Sequence, residues 1–145
     1  MVFLSIAMCL ISCVDENNCG INEESDELFL QFYDIGTKKI REVVFDSVGV
    51  AFANEEVFYL DSISNTLLYV PVDVNAASTN FTFFTDSVAY DFELSYRVNV
   101  RIENEACDPV FRILGLSASS VAFDSLSIKV LELNKLVSPH VEIYF

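Results

Sequence analysis

The residues from Tyr90 to Ile102 constrain the fold more than any other stretch of the chain. Every second side chain there is apolar or aromatic, and every side chain between them is polar. The apolar set is Tyr90, Phe92, Leu94, Tyr96, Val98, Val100 and Ile102. A period of two residues is typical of a β-strand with one buried face. Because the backbone of such a strand must bond to neighbouring strands, the chain is expected to form at least one sheet.

Shorter apolar runs, separated by polar residues, fill most of the remaining sequence. They lie at residues 28–33, 43–45, 48–52, 57–60, 67–70, 81–84, 110–116, 126–133 and 141–145. No window of useful length repeats every 3.6 residues, as a helix requires. The pattern predicts an all-β chain, an antiparallel β-sandwich of about seven to nine strands. The architecture is immunoglobulin-like, but the absence of Trp and the position of Cys19 before the first strand argue against a true immunoglobulin domain.

For two segments, the sequence allows more than one position in the sheets. The apolar positions are odd before Asp46 and Ser47 and even after them, which predicts a turn or a bulge. Residues 141–145 are apolar except for Glu142 and have two interpretations. On a sheet edge, this strand would let a partner strand add to the sheet, whereas inside a sheet it would belong to the core.

The first 13 residues predict where the protein is located in the cell. Residues 1–12 carry no charge and are too few to span about 30 Å of hydrocarbon as a helix, but they fit the apolar part of a secretory signal. Leu10-Ile11-Ser12-Cys13 looks like a bacterial lipobox, in which Cys13 receives the lipid. The predicted organisation is a signal peptide over 1–12, a lipidated cysteine and acidic tether over 13–26, and a β-sandwich over 27–145. The alternative is a buried N-terminal strand with an ordinary Cys13.

The charge of the chain limits its partners. It has 22 acidic and 8 basic residues and a net charge of −14. This balance argues against nucleic acid, whose phosphates require a basic face, and against docking on anionic lipid. Asp15 and Glu16, directly after the predicted anchor, resemble the acidic surface-export signal of lipoproteins in the Bacteroidota. The chain is therefore expected at the outer membrane, held by lipid, on either its outer surface or its periplasmic face.

Two cysteines remain after the signal and the lipid take Cys9 and Cys13. In an oxidising compartment, Cys19 and Cys107 most simply form one disulfide. It would close a loop of about 88 residues and contribute ~4 kcal/mol in the chain-entropy model. The alternative is two free or separately buried thiols.

The layout resembles a family of small uncharacterised lipoproteins of the Bacteroidota. The features that carry the resemblance are the lipobox, a cysteine soon after it, the opening strand at 29–34, the long alternating strand ending near Cys107, and the closing strand at 141–145. The resemblance covers nearly the whole chain. The resemblance implies the location and the fold, and it implies no reaction, because no reaction is assigned to the family.

The residues that bear chemistry are few. The only histidine, His140, follows Pro139 at a strand start, where we expect it to be exposed. One imidazole does not make a zinc site, and no nucleophile has a recognisable base. Asp91 and Glu93 share one strand face, which a solvated sheet explains better than a general acid–base pair. We therefore predict no catalytic residue, no metal site and no cofactor.

A repeated tripeptide gives the candidate modification sites. Asp-Ser followed by an apolar residue places serines at Ser47, Ser62, Ser87 and Ser125. The pattern resembles the O-glycosylation sequon of exported Bacteroidota proteins. It is also ordinary turn chemistry before a strand, since Asp and Ser bond their own backbone.

Two functions remain after these exclusions. The first is a non-catalytic interaction module that docks on an outer-membrane protein or a neighbouring lipoprotein. The second is an adhesin-like surface domain that binds a glycan or another ligand on aromatic side chains. The sequence favours the first, because most Phe and Tyr fall on alternating positions that are expected to face the core.

Overall fold

The computed structural model describes residues 24–53, 57–86, 88–102 and 107–145. Over these residues the chain forms nine β-strands and no helix, which confirms the all-β prediction. The strands are β1 (Glu27–Tyr33), β2 (Val43–Ala51), β3 (Val57–Asn65), β4 (Leu67–Pro71), β5 (Ser78–Thr85), β6 (Val88–Arg101), β7 (Val110–Ser119), β8 (Ser125–Ile128) and β9 (Val141–Tyr144). The predicted signal peptide, the anchor Cys13 and Cys19 lie outside the described residues.

The strands form two sheets that pack face to face, as predicted for a sandwich. One has the order β4-β1-β9-β8 and the other β3-β2-β5-β6-β7. All neighbours are antiparallel except β1 and β9, which run parallel. Aromatic rings join the inner faces: the Phe32 ring of β1 lies 5.4 Å from Phe45 of β2 and 6.0 Å from Phe83 of β5. Burial of these apolar side chains is the main stabilising term.

β6 contains the alternating stretch that most constrained the prediction. Phe92, Leu94 and Tyr96 point into the core and are almost fully buried. The register against β7 shifts between Ser95 and Arg97, which marks a β-bulge or a similar irregularity. Beyond this shift Val100 is 58% exposed, so the core ends before the strand does.

Neither the predicted turn nor the predicted bulge against β3 occurs at Asp46 and Ser47. β2 is one strand, and its register against β3 is the same before and after these residues. The buried positions nevertheless change from Val43 and Phe45 to Val48 and Val50, as the pattern indicated. Pairing with both β3 and β5 from Ser47 onward holds the backbone extended through the slip.

The closing strand β9 lies inside a sheet, so the edge interpretation is wrong and the core interpretation is right. It pairs with β1 on one side and with β8 on the other. Val141 and Ile143 are fully buried. β8 stops at Ile128, earlier than predicted, and residues 131–133 instead bond to the edge of β7 through the Gly115 and Leu133 amides.

The two ends of the sandwich differ in the residues that lie there. β1 runs from the end where Glu24 lies, which we call the base, to the opposite end, which we call the far end. At the base, a Glu24 carboxylate oxygen is 3.6 Å from nitrogens of both Arg101 and Arg112. At the far end, a loop over residues 34–42 connects β1 to β2 and contacts Phe145. The predicted tether therefore enters at the base.

Candidate functional site

His140 is buried, so the expectation that it is exposed is wrong. Its Nδ1 accepts a hydrogen bond from the Phe29 amide at 3.1 Å, and its Nε2 lies 2.9 Å from the Asn134 carbonyl oxygen. Because Nδ1 accepts a hydrogen bond, the proton of the neutral ring must be on Nε2, which then donates to the Asn134 carbonyl oxygen. Burial lowers the pKa of His140. Both ring nitrogens bond to the backbone, which indicates a structural role for this side chain.

Asp91 and Glu93 lie on the outer face of the five-stranded sheet, as the alternation predicted. The Thr82 hydroxyl donates to Asp91 Oδ1 at 2.8 Å, and Glu93 stands in register between Asn80 and Ser119. Together with residues 119–121 they line an open groove of about 430 Å³. No group of three or more His, Cys, Asp or Glu side chains in the described ranges could hold a metal.

Of the cysteines in the predicted anchor and bridge, the structure describes Cys107 alone. It is half-buried and is not a free thiol. Cys13 and Cys19 fall outside the described residues. Lipidation of Cys13 and the Cys19–Cys107 pairing therefore stay predictions.

The four candidate serines have different surroundings. Ser47 lies within β2, half-buried between β3 and β5, and Ser62 lies within β3, so neither follows a turn as predicted. Ser125 is exposed at the first residue of β8, where the turn interpretation holds. Ser87 is outside the described residues, although Asp86 before it has the positive φ of 48° that suits a turn. Among the described side chains, Ser125 is the most accessible candidate.

An aromatic and polar surface on the four-stranded sheet was missed by the sequence reasoning. The parallel register of β1 and β9 sets Gln31 beside Glu142 and Tyr33 beside Tyr144, on the face away from the core. The two tyrosine rings stack with centroids 5.2 Å apart and planes 25° from parallel. We call Gln31, Tyr33, Glu142 and Tyr144 the tyrosine face. The repeated polar-x-Tyr pattern is visible in both strands, but only the strand pairing brings the two copies together.

Hydrogen bonds hold the tyrosine face in one arrangement. The Tyr33 hydroxyl donates to Gln31 Oε1 at 2.9 Å, and the Tyr144 hydroxyl donates to Glu142 Oε2 at 2.8 Å. Lys129 Nζ lies 3.2 Å from the same Glu142 oxygen. The hydrogen bond to Glu142 and burial raise the pKa of Tyr144, and burial together with the Glu142 charge raises the pKa of Tyr33. Both phenols therefore stay protonated at neutral pH.

Other groups cover parts of the same side of the sheet. Lys38 Nζ lies 4.7 Å from the centroid of the Tyr144 ring, within cation–π range. The Phe29 ring stacks on His140 at 4.4 Å and meets the edge of Tyr69 at 4.4 Å. Tyr69, on the edge strand β4, is 47% exposed. Most ring faces on this side therefore already have a partner within the protein.

Comparison with known proteins finds no match. No protein-family model, curated protein or solved structure matches this chain. Over the described residues, no helix is both long and apolar enough to cross a membrane.

Proposed function

We propose that this chain is a non-catalytic, lipid-anchored protein of the bacterial cell envelope that binds another envelope protein through its tyrosine face. The lipobox ending at Cys13 supports the anchor. The acidic residues after it, and the resemblance to Bacteroidota lipoproteins, support an outer-membrane location on either face. The partner is an outer-membrane protein or a second lipoprotein.

The tyrosine face is the observation that carries this proposal. Tyr residues are enriched in protein interfaces, where they supply large contact areas with few rotatable bonds. Tyr33 and Tyr144 are already stacked and hydrogen-bonded, so little conformational entropy remains to be lost when a partner binds. Glu142 and Gln31 place polar groups beside the rings, where they can orient the partner.

The same geometry favours a protein over a glycan. A sugar ring packs on a free aromatic face, but Tyr33 and Tyr144 stack on each other and Lys38 covers part of Tyr144. Phe29 lies between His140 and Tyr69. Tyr69 is the exception, because it is exposed on an edge strand. A single ring of this kind is a weak basis for a glycan platform.

The surroundings of His140 and Asp91 support the part of the proposal that the protein is not a catalyst. A general base must reach a substrate proton with a free lone pair. The one lone pair available on neutral His140 accepts the Phe29 amide. Asp91 is exposed in an open groove, where nothing excludes water from its carboxylate as a catalytic site usually does.

The test is purification of the tagged, full-length protein from detergent-extracted outer membranes. Tyr33→Ala with Tyr144→Ala should reduce recovery of a stoichiometric envelope protein about tenfold or more, because these rings would be central to the interface. The matched control is Asp91→Asn with Glu93→Gln on the opposite outer face, which should recover the same partner as the wild type.

The thermal melting of both variants keeps the result interpretable. The tyrosine rings lie outside the core, so both variants should unfold cooperatively. Full recovery of the partner by the folded double tyrosine variant would contradict the proposal. Recovery of a glycan instead of a protein would favour the adhesin-like alternative.

A further inference from the structure

The loop at the far end is unusually basic for this acidic chain. Lys38, Lys39 and Arg41 are three of its eight basic residues and lie within four consecutive positions. Ile35 and Ile40, in the same loop, are 39% and 54% exposed. We call residues 35–41 the basic loop. It presents cations and aliphatic side chains together.

Hydrogen bonds fix the shape of the basic loop. The Asp34 amide donates to the Lys39 carbonyl at 3.0 Å, and the Lys38 amide donates to the Asp34 carbonyl at 2.9 Å. Asp34 Oδ1 accepts from the Thr37 amide at 2.7 Å, which lowers the pKa of Asp34. The neighbouring Glu42 carboxylate accepts from the Ser64 hydroxyl. The acidic groups nearest the loop therefore already bond within the protein.

Arg41 lines a small pocket next to the C-terminal Phe145 side chain. Its guanidinium carbon is 4.5 Å from the centroid of the Phe145 ring, and Nη1 donates to the Phe145 backbone oxygen at 3.0 Å. The pocket has a volume of about 210 Å³, and its lining includes Arg41, Glu42, Thr85, Tyr90 and Phe145. This space is of the order of one side chain. Guanidinium groups bind carboxylates with specific geometry.

The basic loop adjoins the tyrosine face, because Lys38 lies over the Tyr144 ring. We infer that the partner presents an acidic protein segment, with apolar side chains among its carboxylates, to the basic loop. Carboxylates of that segment face the exposed cations Lys38, Lys39 and Arg41, and its apolar side chains contact Ile35 and Ile40. An anionic polysaccharide would satisfy the cations but leave the isoleucines without a partner. This inference rests on the proposed function and names the chemistry of the partner.

A photo-crosslinking amino acid at position 40, in the full-length protein in its native envelope, tests the inference. Position 136 is the matched control, because Leu136 is exposed on the loop over His140. Position 40 should crosslink to a protein peptide that mass spectrometry shows to contain both acidic and apolar residues, and position 136 should not. A crosslink to a neutral or basic peptide, to a glycan or to lipid would overturn the inference.

Charge reversal separates electrostatic recognition from simple proximity. Lys39→Glu should lower the crosslink yield from position 40 about tenfold, since like charges across an interface are strongly unfavourable. Lys135→Glu makes the same change of charge at another exposed lysine and should leave the yield unchanged. Equal yields from the two variants would overturn the inference.

The outcomes also distinguish this inference from the proposed function. If the tyrosine variant loses the partner but position 40 gives no acidic crosslink, the interface exists and the basic loop does not recognise acid. If the tyrosine variant keeps the partner while position 40 crosslinks to an acidic segment, the proposed face is wrong and the basic loop alone docks the partner.

Discussion

At the scale of single residues, His140 shows how a polar side chain becomes part of a core. It is fully buried, stacked on Phe29 and bonded through both ring nitrogens. Its place beside Pro139 in the sequence suggested exposure, because nothing local indicates that residues 134–139 fold back over the sheet. The sequence identified the residue, but its environment depends on contacts that are distant along the chain, such as the one with Phe29.

His140 predicts a dependence of stability on pH. Burial lowers its folded-state pKa below the ordinary value of 6.5, so the unfolded state binds a proton at higher pH than the folded state does. The stabilisation is therefore present above about pH 6.5 and decreases as the pH falls below it. Denaturant unfolding of the wild type and of His140→Gln at pH 7.5 and pH 5.5 measures this effect. The wild type should lose more stability than the variant, and equal losses would show that His140 does not contribute.

At the scale of strands, the sequence predicted which segments form strands better than it predicted which strands pair. The alternation in β6 and the apolar runs in β1 and β9 indicate which residues are buried, and this information is local to each segment of the sequence. Which strands pair depends on how the whole core packs. The parallel pairing of β1 with β9 was therefore not visible, and with it the stack of Tyr33 on Tyr144. The change of buried phase in β2 was visible in the sequence, but the strand continues through it without the predicted turn or bulge.

The interior position of β9 makes a prediction about its core side chain. Ile143 is fully buried, so Ile143→Ala should lower the free energy of unfolding by about 3 kcal/mol through lost burial and a cavity. Ile40→Ala removes the same atoms from a side chain that is 54% exposed and should cost less than about 1 kcal/mol. Denaturant titrations compare the two variants. Similar losses would place β9 outside the core.

At the scale of the whole molecule, the base joins the predicted tether to the sandwich. Glu24 lies 3.6 Å from Arg101 near the end of β6 and from Arg112 near the start of β7, on either side of Cys107 in the sequence. Cys19 is separated from Glu24 by at most roughly 18 Å of extended chain. A Cys19–Cys107 disulfide would thus fasten the tether near Glu24, at the opposite end of β1 from Tyr33 and the basic loop.

This disulfide predicts a measurable change in mass and in stability. Reduction should add two hydrogens to the intact mass and lower the free energy of unfolding by ~4 kcal/mol, because the bridge would close a loop of about 88 residues in the unfolded chain. Cys19→Ser and Cys107→Ser should each show the same loss before reduction and no further loss after it. Cys9→Ser is the matched control and should behave as the wild type, because Cys9 lies in the predicted signal peptide, which would be absent from the mature protein. Two thiols that react with an alkylating reagent in unreduced, denatured protein would contradict the bridge, and the tether would then be held to the base by the Glu24 ion pairs without a covalent bond.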